Sequence, residues 1–301
     1  MNNKKLIEQI NNLKKEKDAV ILVHNYQRPE IYEVADFLGD SFELARAAAQ
    51  TEAKVIVFCG VDFMAQTAKI LNPKRTVLHP ELAAQCMMSR MVDLNLLREM
   101  KKKYPNAAVV SYVNTNAETK AESDICCTSA NAVKIVNALK EKEVIFLPDK
   151  NLAAYVQSNT TKKIIPWNGF CYVHQEISAD NVKKAKQNKK NAKVLVHPEC
   201  RQEVVKLADA VCSTSQMLSY AKESNAKEFI IVTEEGMINR LKKEIPNKIF
   251  YGIGGTCVQM KRITLQSVLD SLKSGRYEVI VEEKTRKKAE KALRKMLEVG
   301  K

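Results

Sequence analysis

The sequence predicts an α/β protein made of three homologous three-layer α/β/α domains, with parallel sheets around a pseudo-threefold axis. Two observations support this prediction. A pattern of about 86 residues recurs three times along the 301-residue chain, which is typical of repeated structural units. Within each copy, apolar strands alternate with amphipathic helices. Parallel strands need such helical crossovers, and the helices cover both faces of the sheet.

Each copy opens with an apolar strand and a polar strand tip, followed by an aspartate and a turn that carries serine or threonine. The three segments are VILVHNY…VADFLGDS, VVSYVNT…ESDICCTS and KVLVHPE…LADAVCSTS. Their aspartates, Asp36, Asp124 and Asp209, lie 88 and 85 residues apart. This spacing predicts that the three strand tips occupy equivalent places in three units.

A second strand and a helix follow in each copy. The strands are KVIVFCG, EVIFLPD and EFIIVTE, and the helices are DFMAQTAKIL, NLAAYVQSN and GMINRLKKEI. Each copy then closes with an extended segment that ends in a cysteine, RTVLHPELAAQC, KIIPWNGFC or KIFYGIGGTC. We expect domains at 1–87 with 270–301, at 88–172 and at 173–269. The segment YEVIVEEKTRKKAEKALRKML is expected to form an extra strand and helix that return to the first domain.

The composition, 45% hydrophobic and 28% charged, is typical of a soluble globular protein. The sequence has no long apolar run and no signal-peptide pattern, so we expect a cytoplasmic protein without membrane contact. The net charge of +14 comes largely from lysine runs on helical segments. These runs contain few aromatic residues, so we expect no nucleic-acid partner and a positive field that attracts small anionic substrates.

Three of the eight cysteines occupy matching places in the repeats. Cys86, Cys171 and Cys257 lie 85 and 86 residues apart, and the sequence contains no CxxC pair. Because equivalent strand ends meet near a pseudo-threefold axis, these thiols are expected to converge. The alternative is ordinary burial of a small residue. That interpretation is favoured for Cys59, Cys126, Cys127, Cys200 and Cys212.

Three convergent thiolates without an obvious fourth ligand suit either zinc or a 4Fe-4S cluster with one open iron. The cluster fits better, because structural zinc usually has four protein ligands in closely spaced pairs. An open iron is a Lewis acid that can bind a hydroxyl or carboxylate oxygen of a substrate and help it leave as water.

The strand tips carry polar side chains that suit proton transfer at neutral pH, although a structural role at a strand end is the alternative. They are His24 and Tyr26 in the first copy, Tyr112 and Asn114 in the second, and His197 and Glu199 in the third. The turns bring hydroxyl groups to helix starts, where they either bind anions or cap the helix. These residues are Ser41, Thr128, Ser129, Ser213 and Thr214.

Several motifs together resemble the quinolinate synthase family, the A protein of bacterial and archaeal NAD biosynthesis. They are HNYQRPEIYEVADFLGDS, YVNTNAETKAESDICCTSANAV, NGFCYVHQE, VHPEC, STSQM and TEEGMINRLKK, between about residues 15 and 265. The resemblance implies three homologous domains around a 4Fe-4S cluster held by one cysteine per domain, here Cys86, Cys171 and Cys257. It also implies condensation of iminoaspartate with dihydroxyacetone phosphate to quinolinate, with loss of phosphate and two waters and with the open iron as Lewis acid.

Carried over residue by residue, the resemblance assigns ten further positions to the active site. Tyr26, His197 and Glu199 are expected to carry proton transfer. Substrate contacts are expected from His24, Ser41, Tyr112, Asn114, Ser129, Ser213 and Thr214. The chain departs from the usual family pattern beside these positions, at Met87, Tyr172, Cys212 and Ser215.

Two alternatives from other classes stay open on the sequence. One is another 4Fe-4S hydro-lyase of the aconitase type, since any dehydration can use an open iron. The other is a non-enzymatic protein that binds zinc or an anion. The expected partners are the two small-molecule substrates, with transient coupling to an enzyme that produces iminoaspartate.

Overall fold

The computed structural model describes residues 2–300, and every strand pairing in its three four-stranded sheets is parallel. The first sheet contains β1 (Ala19–His24), β2 (Phe37–Gly39), β3 (Val55–Cys59) and β4 (Thr76–Leu78). The second contains β5 (Ala108–Tyr112), β6 (Ile125–Cys127), β7 (Glu143–Leu147) and β8 (Lys163–Pro166). The third contains β9 (Lys193–Val196), β10 (Ala210–Val211), β11 (Glu228–Val232) and β12 (Ile249–Gly252). The strand orders β2-β1-β3-β4, β6-β5-β7-β8 and β10-β9-β11-β12 are equivalent, which confirms the predicted fold class.

Helices precede or connect the strands in each unit. In the first unit they are α1 (Asn3–Glu16), α2 (Ser41–Gln50) and α3 (Asp62–Leu71). The second unit has α4 (Leu94–Lys103), α5 (Ala117–Ala121), α6 (Ala132–Ala138) and α7 (Lys150–Gln157). The third has α8 (Tyr172–Gln175), α9 (Ala179–Asn188), α10 (Gln202–Val205), α11 (Thr214–Glu223) and α12 (Gly236–Glu244). The chain ends with α13 (Leu265–Ser274) and α14 (Glu283–Val299).

The repeated aspartates have the same structural role in all three units. Asp36 Oδ2 accepts the N–H of Ile21 at 2.7 Å, and Asp36 N donates to Ile21 O at 2.9 Å. The pairing of β1 with β2 begins one residue later, at Leu22 and Phe37. The Asp36 carboxylate therefore provides a hydrogen-bond acceptor for the Ile21 N–H, which has no partner on β2. The equivalent pairs are Asp124 with Val109 and Asp209 with Val194.

The first two units share one apolar core. Leu22 and Phe58 of the first sheet, Val110 and Phe146 of the second sheet and Leu293 of α14 belong to the same buried cluster. Burial of such side chains stabilises the fold by about 1.5–3 kcal/mol each. The third unit has two further clusters, one on each face of its sheet.

The C-terminal segment contacts both of the first two units. Helix α13 packs on α1 and β3. The expected extra strand does not form: residues 277–279 lie beside β4 in an isolated bridge, where Tyr277 O accepts the N–H of His79 at 3.1 Å and Val279 N donates to Val77 O at 2.8 Å. The expected helix is present as α14. Helix α14 contacts α3 of the first unit and α5, β6 and α6 of the second. The domain boundaries stay a prediction, since this helix lies against both units.

No helix within residues 2–300 has the length and apolar character that a membrane span requires.

Candidate active site

One cavity collects strand ends from all three sheets. It holds about 770 Å³ of space, part of it open to solvent. Parallel α/β sheets place their ligands at this end of the strands. Twelve of the thirteen site residues predicted from the sequence line this cavity, and their individual roles stay predictions. They are His24, Tyr26, Ser41, Cys86, Tyr112, Asn114, Ser129, Cys171, His197, Glu199, Thr214 and Cys257.

Ser213 is the predicted site residue that does not line the cavity. It is fully buried and caps α11, where its side chain accepts the N–H of Gln216. The neighbouring Thr214 does line the cavity, and its Oγ1 accepts from Asn25 Nδ2 at 3.0 Å. The observed contact of Ser213 is therefore a helix cap, which was the alternative for this residue type.

An acidic residue stands at the cavity end of α2. Asp40 caps this helix by accepting the N–H groups of Phe42 and Glu43, both at 2.9 Å, and it lines the cavity beside Ser41. Burial, followed by the charge of Glu43, raises the pKa of Asp40 to about 6. Any anionic group bound at this helix start therefore faces a carboxyl whose charge changes near pH 6.

Glu199 is a buried carboxylate held by two partners. Its Oε2 lies 2.8 Å from His174 Nδ1, and Tyr112 also donates a hydrogen bond to it. Burial alone would raise the pKa of Glu199, but His174, His197 and the Tyr112 bond outweigh it and hold the pKa below its usual range. Glu199 is thus an ionised acceptor that faces the cavity.

A chain of short hydrogen bonds joins Tyr26 to Glu199. Tyr26 Oη lies 2.7 Å from Thr233 Oγ1, and Thr233 Oγ1 lies 2.8 Å from His174 Nε2. One set of donor directions that fits these distances runs from Tyr26 to Thr233, from Thr233 to His174 Nε2 and from His174 Nδ1 to the carboxylate. Burial and the charge of Glu199 raise the pKa of Tyr26 well above 10, so Tyr26 stays protonated.

The two predicted strand-tip histidines have matching local geometry. His24 Nδ1 accepts the N–H of Tyr26 at 3.1 Å, and His197 Nδ1 accepts the N–H of Glu199 at 3.4 Å. Burial is the main cause that lowers the pKa of each ring to about 3. Each neutral ring therefore carries its proton on Nε2, which is free to act as a donor.

The three repeat-equivalent thiols are half-buried in the cavity wall. Burial raises the pKa of all three, to about 12 for Cys86, and the neighbouring Glu199 raises that of Cys171 further. A bound metal would have to displace these protons, because thiolates are the form that ligates.

A compact set of potential metal ligands overlaps with these thiols. Among the described residues, the sulfur of Cys171, a ring nitrogen of His174 and a carboxylate oxygen of Glu199 all lie within 4.8 Å of one another. Cys171 belongs both to this set and to the three repeat-equivalent thiols, which line the same cavity.

Glycines allow two of the cysteine loops to approach the strand ends closely. A Cβ at Gly169, two residues before Cys171, would lie 2.5 Å from the Pro148 carbonyl oxygen. A Cβ at Gly254, three residues before Cys257, would overlap the Thr233 carbonyl group. Only glycine fits these two contacts without a shift of the backbone.

Several cavity residues were not singled out from the sequence. His174 and Thr233 are the most important, since they connect Tyr26 to Glu199. The Cys171–His174 spacing of three residues at a helix start was a usable signal, because it places both side chains on one face. Thr233 directly follows β11 and could have been found as a further strand-end residue. The cavity also includes Asp40, Tyr172, Glu234 and Gln259.

The fold and the cavity together define an α/β enzyme that combines three equivalent thiols with buried acid–base groups. The chain belongs to the quinolinate synthetase A protein family, whose family model matches residues 8–298. It is 51% identical over 302 residues to the quinolinate synthase of Alkaliphilus metalliredigens, with 99% of this chain and 100% of the relative covered. The quinolinate synthase of Methanosarcina barkeri is 52% identical, with 99% of both chains covered. That of Dehalococcoides mccartyi is 53% identical, with 97% of both chains covered.

Proposed function

We propose that this chain acts as a quinolinate synthase that condenses iminoaspartate with dihydroxyacetone phosphate. The products are quinolinate, one phosphate and two waters, which together contain all atoms of the two substrates. The observation that supports this most directly is the meeting of three thiols, an ionised glutamate and a protonated tyrosine in one cavity. Membership of the family favours this function over an aconitase-type hydro-lyase and over a non-enzymatic metal or anion binder.

The proposal includes a 4Fe-4S cluster held by Cys86, Cys171 and Cys257. The thiolate donors are soft, as such clusters require, and all three cysteines line the same cavity. When bound, the cluster supplies an open iron that acts as a Lewis acid toward substrate oxygen.

The chain's own residues supply the proton chemistry. Glu199 is ionised and suits the base that removes a proton from the triose. Tyr26 is protonated and suits the acid that assists a departing hydroxyl, while His197 donates from Nε2. We assign substrate binding to the predicted contacts that line the cavity, His24, Ser41, Tyr112, Asn114, Ser129 and Thr214, and we leave out Ser213, which caps α11 outside it.

The same proposal includes the attraction of the substrates, the cellular compartment and a partner enzyme. Both substrates are small anions, which the net charge of +14 attracts. All eight cysteines are free, as is usual in the reducing cytoplasm, where we place the enzyme. Transient coupling to an iminoaspartate-producing enzyme would limit hydrolysis of the imine before it reaches the cavity.

Anaerobic purification followed by a visible spectrum and by iron and sulfide analysis tests the cluster. Alanine at Cys86, Cys171 or Cys257 should abolish both the brown chromophore and quinolinate formation. The matched control, Cys59→Ala in strand β3, should retain both. A colourless wild-type preparation would support the non-enzymatic alternative, and turnover of a single hydroxy acid without the triose phosphate would support the aconitase-type alternative.

A further inference from the structure

An acidic side chain accepts the backbone N–H of each of the three cavity cysteines. The bonds join Cys86 N to Asp62 Oδ1 at 2.9 Å, Cys171 N to Asp149 Oδ2 at 3.1 Å, and Cys257 N to Glu234 Oε1 at 3.0 Å. The acids lie 87 and 85 residues apart, and each precedes its cysteine by 24, 22 or 23 residues. They therefore belong to the same repeat as the cysteines, although they are of two residue types.

Each acid is itself held in place at the start of a helix. Asp149 caps α7, where its Oδ1 accepts the N–H groups of Asn151 and Leu152 at 2.8 and 2.7 Å. Glu234 Oε2 accepts from Gly236 N at 2.7 Å, at the first residue of α12. Asp62 begins α3, and its Oδ1 also accepts from Phe63 N at 2.9 Å. Every cysteine loop is thus tied to the rigid junction between a central strand and the next helix.

We propose that Asp62, Asp149 and Glu234 are positioning residues that fix the three cysteine loops and so aim the thiols at the cluster. This inference rests on the proposed function, because the cluster is part of that proposal. The physical basis is that a buried hydrogen bond from a backbone N–H to a carboxyl oxygen holds the loop in place, and that side chains behind a metal ligand set its orientation. Loops arranged before the cluster binds lose less conformational freedom when it does.

The third of these acids also connects the cluster loop to the predicted proton-transfer residue. Glu234 is 1% exposed at its side chain and pairs with Lys261 at 2.9 Å. The same Lys261 ammonium donates to the backbone carbonyl of Tyr26. A Cβ at Gly236 would lie within 2.9 Å of the Tyr26 backbone, so the segments are in direct contact. Disturbing Glu234 should therefore affect both the Cys257 loop and the position of Tyr26.

Replacement of each acid by its amide gives a sharp test, because an amide keeps the shape but only one acceptor oxygen. At Asp149 and Glu234 both oxygens accept N–H bonds, so the amide nitrogen must face a donor in either orientation. At Asp62 one oxygen accepts both N–H bonds, and the other faces Arg90 at 3.4 Å on the outer side. Asn at position 62 can therefore keep the bond to Cys86.

We expect Asp149→Asn and Glu234→Gln to lose the cluster about tenfold faster in air than wild type, the effect of losing about 1.4 kcal/mol of hydrogen bonding. Asp62→Asn should resemble wild type, whereas Asp62→Ala should lose the cluster faster. The measurements are the decay of visible absorbance in air and the iron and sulfide content after anaerobic reconstitution. Asp93→Ala is the control, because Asp93 caps α4 through Asn95 and Leu96 without contacting a cysteine.

The possible results separate this inference from the proposed function. A wild-type protein without a cluster, or a cluster that survives loss of Cys86, Cys171 or Cys257, overturns the proposed function and this inference with it. A wild-type cluster that Asp149→Asn and Glu234→Gln lose no faster than Asp93→Ala overturns the inference alone. If either amide variant fails to fold, the pair Asp62→Ala and Asp62→Asn decides, and equal decay rates overturn the inference.

Discussion

Substitution of Thr233 by valine removes one hydroxyl group from the centre of the active-site network. This hydroxyl lies 2.7 Å from Tyr26 Oη and 2.8 Å from His174 Nε2, and Thr233 is 1% exposed. Valine has nearly the same shape as threonine, so the change deletes the two hydrogen bonds and leaves the packing intact. Both partner atoms then lack their observed partner in a buried site.

The expected size of the effect follows from these contacts. A buried polar group without a partner costs about 1–3 kcal/mol, so two such groups cost about 2–6 kcal/mol. For a chain of this length the entropy of unfolding is about 0.6 kcal/mol/K, which converts that cost into a fall in Tm of about 3–10 °C. Loss of the fixed Tyr26 orientation should lower kcat by about 10- to 100-fold.

The assay compares Thr233→Val with Thr233→Ser, which keeps the hydroxyl. Calorimetry on the protein and anaerobic quinolinate formation give Tm and kcat for both variants. We expect the serine variant to stay close to wild type and the valine variant to show both losses. A valine variant with wild-type Tm and kcat would refute the role of the Tyr26–Thr233–His174 contacts.

Three further predictions concern other parts of the site. Glu199→Gln should retain the cluster but lose about 10²- to 10⁴-fold in kcat, whereas Thr214→Ala should mainly raise KM; equal effects on KM alone would contradict the assigned roles. Burial lowers the pKa of His24 and of His197 from 6.5 to about 3 in the folded protein. Between these two pH values the unfolded state binds more protons than the folded state, so the free energy of unfolding should fall as the pH drops from 6.5 towards 3. Each ring contributes up to about 1.4 kcal/mol per pH unit to the free energy of unfolding. When this free energy is measured by denaturant titration at several pH values, it should depend less steeply on pH in His197→Gln than in wild type. Gly254→Ala should destabilise the Cys257 loop and lower iron content, since its Cβ would overlap the Thr233 carbonyl group; unchanged iron content would show that the loop can shift.

Much of the fold and of the cavity could be predicted because the three repeats are recognisable in the amino-acid sequence. The spacing of Cys86, Cys171 and Cys257 places them in equivalent loops, and parallel strands bring equivalent strand ends to one cavity. Thr233 and His174 could have been noticed beside a strand end and a cysteine, but the contacts that join them to Tyr26 and Glu199 could not be predicted. Thr233 contacts Tyr26 across 207 residues, and no local pattern specifies such a contact.

The acids Asp62, Asp149 and Glu234 are a different case. They follow the repeat as closely as the cysteines do, so the sequence contained the signal. Their two residue types and their position directly after apolar strands make them look like ordinary helix starts. The sequence predicted that the C-terminal segment returns to the first unit, but not that α14 also packs on the second, because an amphipathic pattern shows that one face is buried but not what covers it.

The packing of α14 has a consequence for biosynthesis. Its Leu293 and Met296 complete the apolar core that the first two units share, yet they lie more than 200 residues after β4. At ordinary elongation rates the ribosome needs about 10–45 s to add the intervening residues, and the nascent chain keeps that apolar surface uncovered for the whole interval. We therefore expect the shared core to be completed late in synthesis, when α14 becomes available to cover it.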